Sequence, residues 1–200
     1  MTKRVAWCVA WRAALLVAGA GAVASAADPR WILDFKAPDA ARRWQAVNDG
    51  VMGGVSEGRF RLVPEGAMEF SGHLSLENNG GFASVRSRGT DLGLVPGDSL
   101  VVRVRGDGRE YLVNLTVRSG RMAFAYRAPL PTIDGEVTET TLPLADFVPT
   151  SFGRPVRGIG PVNPREVTSI GFMLSDGRPG DFRLTIEAIG VLPAGDTSAR

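Results

Sequence analysis

Cysteine and histidine are almost missing from this 200-residue sequence, which contains one of each, Cys8 and His73. Zinc sites are built from several cysteine and histidine ligands, so this chain lacks the material for one. A single cysteine also excludes a disulfide framework, and stability must come from a packed core. We therefore predict a protein with no metal site and no cofactor.

Long apolar runs are missing too, although a membrane-spanning helix needs about 20 such residues. The run at residues 13–23 is too short; it follows three basic residues and precedes the small residues Ala24-Ser25-Ala26. That order is typical of a secretory signal, with an uncleaved anchor as the alternative. We predict that residues 1–26 are removed on export and that the mature chain is periplasmic or extracellular, without stable membrane insertion.

The net charge of +2 depends on that signal, which holds three basic residues and no acidic ones. The remaining 174 residues carry 20 basic and 21 acidic side chains, and no cysteine. A nearly neutral chain lacks the basic excess that is typical of nucleic-acid-binding domains. We therefore predict no nucleic-acid partner.

No long helical period is present, whereas short alternating runs between glycines and prolines are typical of half-buried strands. In residues 99–105, Leu100, Val102 and Val104 alternate with Val101, Arg103 and Arg105. The Gly106-Asp107-Gly108 turn then predicts a hairpin with residues 111–117. Further strands are predicted at 31–36, 59–63, 67–76, 81–87, 122–128, 136–142, 168–174 and 181–190, with a helical turn at 40–44 and a long loop at 148–166.

Many short strands separated by turns predict one all-β domain, a sandwich or jelly roll. We place the domain at residues 27–192 and a flexible tail at 193–200.

Four stretches carry a family resemblance. They are WQAVNDGVMGGVS at 44–56, FSGHLSLENNGGFASVRS at 70–87, VRGDGREY at 104–111 and SIGFML at 169–174. In this order they resemble the complex I intermediate-associated protein 30 family, over roughly residues 31–192. The resemblance implies a galactose-binding-like β-sandwich. It also implies a role like that of mitochondrial members, which assist complex I assembly as chaperone-like factors. A secretory signal sets this chain apart from those members.

Two Asn- and Gly-rich segments are candidates for a binding rim. Asn48 and Asp49 open one, and Glu77, Asn78 and Asn79 open the other. Their carboxylates and amides suit contact with a sugar or a hard cation. The structural alternative is turn chemistry, since Asn, Asp and Gly tolerate positive φ.

Arginine supplies 19 of the 20 basic residues after the signal. If Arg86, Arg103 and Arg105 share a sheet face, that face suits an anionic ligand or an acidic protein segment. A GC-rich genome would enrich arginine without any function, and both interpretations stay open. Tyr111 and Tyr126 are candidates for a sugar-stacking platform.

Ser56 lies in the pattern Gly54-Val55-Ser56-Glu57-Gly58, which matches a G-x-S-x-G nucleophile elbow. Its flanks are predicted strands, and the one histidine lies 17 positions later, so the setting of a hydrolase is lacking. Serine esterase is therefore the remote alternative. The preferred prediction is a non-catalytic module that binds a protein partner in the cell envelope, with carbohydrate or small-ligand binding as the alternative.

Overall fold

The computed structural model describes residues 28–33, 35–89, 91–118 and 124–194. The predicted signal peptide, residues 1–26, and most of the predicted tail lie outside the described residues. In the described ranges the chain forms antiparallel strands and five single 3₁₀ turns, and none of these turns is long and apolar enough to cross a bilayer. The strands are β1 Arg30–Leu33, β2 Trp44–Asn48, β3 Glu57–Val63, β4 Ala67–Leu74, β5 Ala83–Ser87, β6 Ser99–Arg105, β7 Glu110–Val117, β8 Ala125–Pro131, β9 Val137–Pro143, β10 Val148–Ser151, β11 Arg154–Pro155, β12 Val167–Leu174 and β13 Gly180–Leu192.

The strands form two sheets. The six-stranded sheet has the order β3-β4-β13-β6-β9, and β1 pairs with the end of β13. The seven-stranded sheet has the order β11-β10-β8-β7-β12-β5-β2. The fold is therefore the all-β sandwich that the sequence predicts.

The core lies between the sheets and is built from alternate residues of each strand. Leu100, Val102 and Val104 of β6 are fully buried, as predicted from their alternation. In β13 the alternation changes at a bulge between Ile186 and Ala188, so that Ile186 and Ile189 both reach the core. The rings of Phe70 and Phe182 lie 4.9 Å apart between centroids within this core.

The predicted hairpin of 99–105 with 111–117 is wrong, although both strands exist. β6 pairs with β9 and β13, whereas β7 pairs with β8 and β12 in the other sheet. The Gly-Asp-Gly segment therefore crosses from one sheet to the other. Asp107 fixes this crossing because its Oδ2 accepts hydrogen bonds from the Tyr111 hydroxyl (3.0 Å) and the Arg183 N–H (2.7 Å).

Two further differences concern segments predicted as irregular. Residues 44–48 form the edge strand β2, and the predicted long loop contains the hairpin of β10 and β11 at its start. The helical turn near residue 40 is confirmed as a 3₁₀ turn at Ala40–Arg43. The Tyr126 hydroxyl holds the rest of the predicted loop by donating to the carbonyl oxygen of Gly160 (2.8 Å).

Candidate functional site

On the outer face of the seven-stranded sheet, polar residues of four strands align in one row that a glycine interrupts. Gln45, Arg86, Gly171, Asn114 and Arg127 lie side by side on β2, β5, β12, β7 and β8. The core-facing neighbours, such as Val85, are buried, so this row points away from the core. Gly171 leaves a gap in the row between the two arginines.

A cleft of about 780 Å³ lies over this face. Its floor includes Arg86, Thr116, Arg127 and Met173. One wall is formed by the turn that carries Val51 and Met52, together with residues 79–82. The opposite wall includes Phe152, at the tip of the β10–β11 hairpin.

Both walls expose apolar side chains to solvent. Val51 is 77% exposed, Met52 49% and Phe152 82%. Exposed apolar side chains gathered around one cleft are typical of binding surfaces, because their contact with water is unfavourable unless a partner covers them. The cleft thus combines an arginine-bearing floor with two apolar walls.

The floor charges have no acidic neighbour within the cleft. No Asp or Glu is among the described residues that line it. Arg127 is half-buried, and its Nε is shielded from solvent without a hydrogen-bond partner. Burial lowers the pKa of the Arg127 guanidinium, since loss of solvation disfavours its charged form. The Asn114 Oδ1 atom beside it is likewise buried without a donor.

Phe152 is held in a conformation that its residue type disfavours. Ser151 pairs with Arg154, so Phe152 and Gly153 form a two-residue hairpin loop. Both have positive φ, 46° and 73°, as a type I′ turn requires. Asn and Gly suit such positions, whereas a bulky side chain is strained there. Phe152 is thus both strained and exposed, a combination that is typical of functional positions.

The Val51–Met52 wall is anchored by the carboxylate of Asp49, which is fully buried. Asp49 Oδ1 accepts from the Ser56 N–H (2.9 Å), and Oδ2 accepts from the Ser56 hydroxyl (2.6 Å). Oδ2 also accepts from the N–H groups of Gly81 (2.7 Å) and Phe82 (3.2 Å). Burial by itself raises the pKa of Asp49, but these hydrogen bonds outweigh it and hold the pKa below its ordinary value.

The glycines around this carboxylate are needed for space. A Cβ on Gly54 would lie 2.4 Å from Asp49 Cγ, and one on Gly80 would lie 2.7 Å from Asp49 Oδ2. Both distances are shorter than the closest approach that a Cβ atom makes to such atoms. The Asn-Asp-Gly and Asn-Asn-Gly-Gly segments are therefore two halves of one buried carboxylate site that shapes the cleft wall.

The structure contradicts the predicted role of Asn48 and Asp49 as an open binding rim, and it buries Ser56, the binding candidate beside them. Asp49 and Ser56 are buried, and the Asn48 side-chain amide donates to the Gly58 carbonyl (3.0 Å). The turn interpretation, the structural alternative, describes Asn48 and Asp49.

The setting of Ser56 also differs from that of a nucleophile. Its hydroxyl donates to Asp49 and accepts from the Ser75 N–H (3.0 Å). His73 lies on β4 opposite Glu57 of β3, but its exposed ring bonds to Asp181 (2.8 Å) and not to Ser56. The arrangement expected for a serine esterase is not formed by these residues.

Glu77, Asn78 and Asn79 form an exposed 3₁₀ turn. Asn78 and Asn79 have φ of 54° and 59°, the left-handed values that asparagine tolerates. Asn79 lines the cleft, whereas Glu77 and Asn78 are not among its lining residues. Within the described ranges, no group of three or more His, Cys, Asp or Glu side chains is placed to hold a metal ion.

The predicted arginine face is wrong in its membership. Arg86 lies on the seven-stranded sheet, while Arg103 and Arg105 lie on the six-stranded one. Arg103 is paired with Glu139 (2.7 Å) and lies over the Trp31 ring, 5.1 Å from its centroid. Arg105 approaches Glu187 (3.7 Å) and donates to the Gly135 carbonyl (2.8 Å).

The tyrosines do not form a sugar platform. Tyr111 is fully buried and Tyr126 is 5% exposed, so the structure contradicts their placement on a sheet face. Burial raises the pKa of the Tyr111 hydroxyl, and the nearby Asp107 raises it further. Tyr111 is a core residue whose hydroxyl holds the crossing between the sheets.

Most residues of the cleft were not predicted from the sequence. Arg127 and Phe152, and Asn114 beside the floor, were not among the predicted site residues, and Val51 and Met52 lay in a segment interpreted mainly as a turn. Alternation within residues 111–117 places Asn114 on the outer face, which is a usable signal. Its position beside Arg127 follows from strand pairing, which the sequence pattern does not supply.

Comparison with known proteins gives the family and the fold. The family model described as Complex I intermediate-associated protein 30 matches residues 33–186. The mitochondrial protein of that name from Drosophila melanogaster is 29% identical over 182 residues, which cover 80% of this chain and 62% of the fly protein. The Mus musculus protein is 38% identical over 99 residues, 47% of this chain and 30% of the mouse protein. The chain thus spans less than two thirds of the length of these relatives.

Carbohydrate-binding modules are among the solved structures that resemble this fold. A family 11 module from Clostridium thermocellum, solved with a β-1,3-1,4-mixed-linked tetrasaccharide, superposes with a TM-score of 0.61. It shares 15% identity and covers 82% of this chain and 95% of its own. At that identity the likeness shows the sandwich fold alone. The family model, in contrast, spans most of the sequence, and the chain therefore belongs to the Complex I intermediate-associated protein 30 family.

Proposed function

We propose that this protein is a non-catalytic, chaperone-like binding module that holds a segment of a partner protein in the cleft over its seven-stranded sheet. The observation that carries this proposal is the pair of exposed apolar walls, Val51 and Met52 facing Phe152 across the floor. A partner that covered them would remove apolar surface from water, at about 25 cal/mol per Å².

The strain at Phe152 supports the same function. The left-handed backbone conformation of Phe152 costs roughly 1–3 kcal/mol. Its ring is exposed, so packing within the folded chain does little to offset that cost. Aromatic residues are frequent anchors of protein interfaces. The names of the fly and mouse relatives refer to a complex I intermediate, which favours a protein as the partner.

Photo-crosslinking in cells that express the full chain tests this proposal. Phe152 and Met52 are each replaced by p-benzoylphenylalanine, which keeps an aromatic group at the hairpin tip. Val137, 42% exposed on β9 of the other sheet, is the matched control. We expect the same discrete protein from both cleft positions and not from Val137. Equal products from all three positions, or none from the cleft, would refute the proposal.

Carbohydrate binding is the second candidate, and the aromatic lining of the cleft favours it. Phe82, Phe124 and Phe152 all line the cleft beside polar groups of the floor. Rings of this kind stack on sugars. A glycan array probed with the purified chain and with Phe152→Ser separates the candidates. Binding of a neutral glycan that the variant loses would favour carbohydrate over protein.

We further propose that the protein acts in the cell envelope after export. The basic, apolar and small-residue order of residues 1–26 supports this location. N-terminal sequencing of the protein recovered from the envelope should begin near Ala27. A chain recovered only from the cytoplasm with an intact N-terminus would contradict export.

A further inference from the structure

The arginines on the outer faces of the two sheets differ in whether a carboxylate lies beside them. On the outer face of the six-stranded sheet, Arg61 and Arg183 both approach Glu69, at 2.9 and 3.8 Å. Arg103 and Arg105 also have carboxylates beside them. The cleft floor on the seven-stranded sheet carries Arg86 and Arg127, and no carboxylate is among the described lining residues. The floor therefore presents positive charge that the rest of the described cleft does not neutralise.

Arg127 is the more informative of the two. A half-buried guanidinium has lost part of its hydration, and the folded chain supplies its Nε with no acceptor. Such a group is costly unless an anion or acceptor joins it. Arg127 lines the cleft, so a ligand carboxylate bound there would place an opposite charge beside its guanidinium. Hydrogen bonds between arginine and a carboxylate are among the strong ones, since both groups are charged.

The spacing of the row suits an extended ligand. Three strand-to-strand steps separate Arg86 from Arg127, about 14 Å between their backbones. Gly171 and Asn114 occupy the two positions between them. A Cβ on Gly171 would lie 2.6 Å from the Val85 carbonyl oxygen, so glycine is needed there.

We propose that the cleft recognises an acidic, extended peptide segment of a partner protein. Carboxylates of the segment accept hydrogen bonds from Arg127 and Arg86, which both line the cleft. Apolar side chains beside the acidic ones pack on the Val51–Met52 wall and on Phe152. This inference rests on the proposed function and adds the chemistry of the segment: acidic residues flanked by apolar ones.

A phage-displayed library of random 12-residue peptides, selected on the purified chain, is the first test. We expect enriched peptides to combine Asp or Glu with apolar residues. The strongest peptide is then synthesised, and its Kd is measured for the wild type and for Arg127→Gln, Arg86→Gln and Phe152→Ser. Arg59→Gln is the matched control, because Arg59 is an exposed arginine on β3 of the other sheet.

We expect each cleft arginine variant to weaken binding about 10-fold or more, because hydrogen bonds to charged groups are the strong ones. The control should change Kd by less than about 2-fold. Replacing the acidic residues of the peptide by their amides should reproduce the arginine effect. Arg127→Gln should fold normally, since it removes a half-buried charge whose Nε has no hydrogen-bond partner among the described residues, and thermal unfolding checks this.

The outcomes separate this inference from the proposed function. Peptides that lose affinity with Phe152→Ser but lack acidic residues, or ignore both arginine variants, would overturn the acidic chemistry and leave the cleft as a protein site. Selection that yields no cleft-dependent peptide would count against both. Arginine-dependent binding of oligogalacturonate, with no peptide selected, would replace the peptide by an acidic glycan and so overturn this inference as well.

Discussion

The Oδ2 atom of Asp49 accepts a 2.7 Å hydrogen bond from the backbone N–H of Gly81, 32 positions further along the chain. With the bonds to Ser56, this contact joins the turn that carries Val51 and Met52 to the segment before β5. A buried carboxylate therefore determines where one wall of the cleft stands. The wall and the stability of the fold should respond together when that carboxylate is changed.

Asp49→Asn should lower the free energy of unfolding by about 3 kcal/mol. The amide would direct a donor at N–H and O–H groups that are themselves donors, and each lost bond to a charged group is worth about 1.5–3 kcal/mol. Urea unfolding measures the change. Asp39→Asn, which removes an exposed ion pair with Arg43, is the control and should change stability by about 0.5 kcal/mol or less. Equal effects from both variants would contradict the role given to Asp49.

Gly54→Ala should destabilise the chain by about 2 kcal/mol, because the new methyl group would overlap the Asp49 carboxylate. Gly50→Ala is a close control in the same turn. A Cβ there meets nothing within 4 Å, so this variant should be neutral or slightly stabilising. Thermal unfolding of the two variants side by side measures the difference. Similar melting temperatures for both would show that the space around Asp49 is not limiting.

Acid should weaken the fold through Asp176, whose carboxylate pairs with the Arg109 guanidinium at 2.7 and 3.0 Å. Burial raises the pKa of Asp176, but the bonds from Arg109 and Arg178 outweigh it and lower the pKa to about 2. A carboxyl group whose pKa is lowered in the folded state stabilises the fold at pH values above its unfolded pKa, which is near 3.8. That stabilisation is lost as the pH falls toward 2. The loss should amount to roughly 2 kcal/mol.

Denaturant unfolding of the wild type and Asp176→Asn between about pH 6 and pH 2 tests this sign. The gap between the two proteins should be widest above about pH 4 and should narrow below it. Carboxyl-carbon NMR of the wild type gives the pKa of Asp176 directly. A gap that stayed constant down to pH 2, or an ordinary pKa, would contradict the assignment.

Phe152→Asn should raise the free energy of unfolding by about 0.5–1 kcal/mol, because asparagine suits the left-handed position. Phe152→Ala removes the same ring but keeps a side chain that disfavours positive φ, so it should not give the same gain. Chemical denaturation of both variants separates strain from exposure. Under the proposed function, both should lose the partner that crosslinks at the cleft. A stabilised Phe152→Asn variant with full binding would show that the ring is not an anchor.

Alternation along the sequence predicts the strands and their faces because it depends on the neighbours of each residue alone. Pairing is different. Residues 99–105 and 111–117 resemble a hairpin locally, yet their partners are set by packing against strands far along the chain. The β10–β11 hairpin was missed for a related reason, since Ser-Phe-Gly-Arg lacks the Asn-Gly signal of a tight turn.

The cleft was less predictable than the fold. Its floor combines Arg86, Met173 and Arg127 from three strands, and only the order and register of the strands bring them to one face. The Asn-Asp-Gly segment was easier to notice, because its composition is unusual. Its unusual composition reflects the packing around Asp49, whereas the residues that face a ligand have ordinary local sequences.

The place of β13 has a consequence for how the chain is made. This strand lies between β4 and β6 and also pairs with β1, although it is the last of the thirteen strands in the described chain. Residues 30–105 therefore leave the ribosome long before β13, which pairs with β1, β4 and β6, has been synthesised. Until then β4 and β6 each expose an unpaired edge, which is the kind of surface that aggregates or recruits holding factors during synthesis. Folding should be slow and should finish only after the whole domain has left the ribosome.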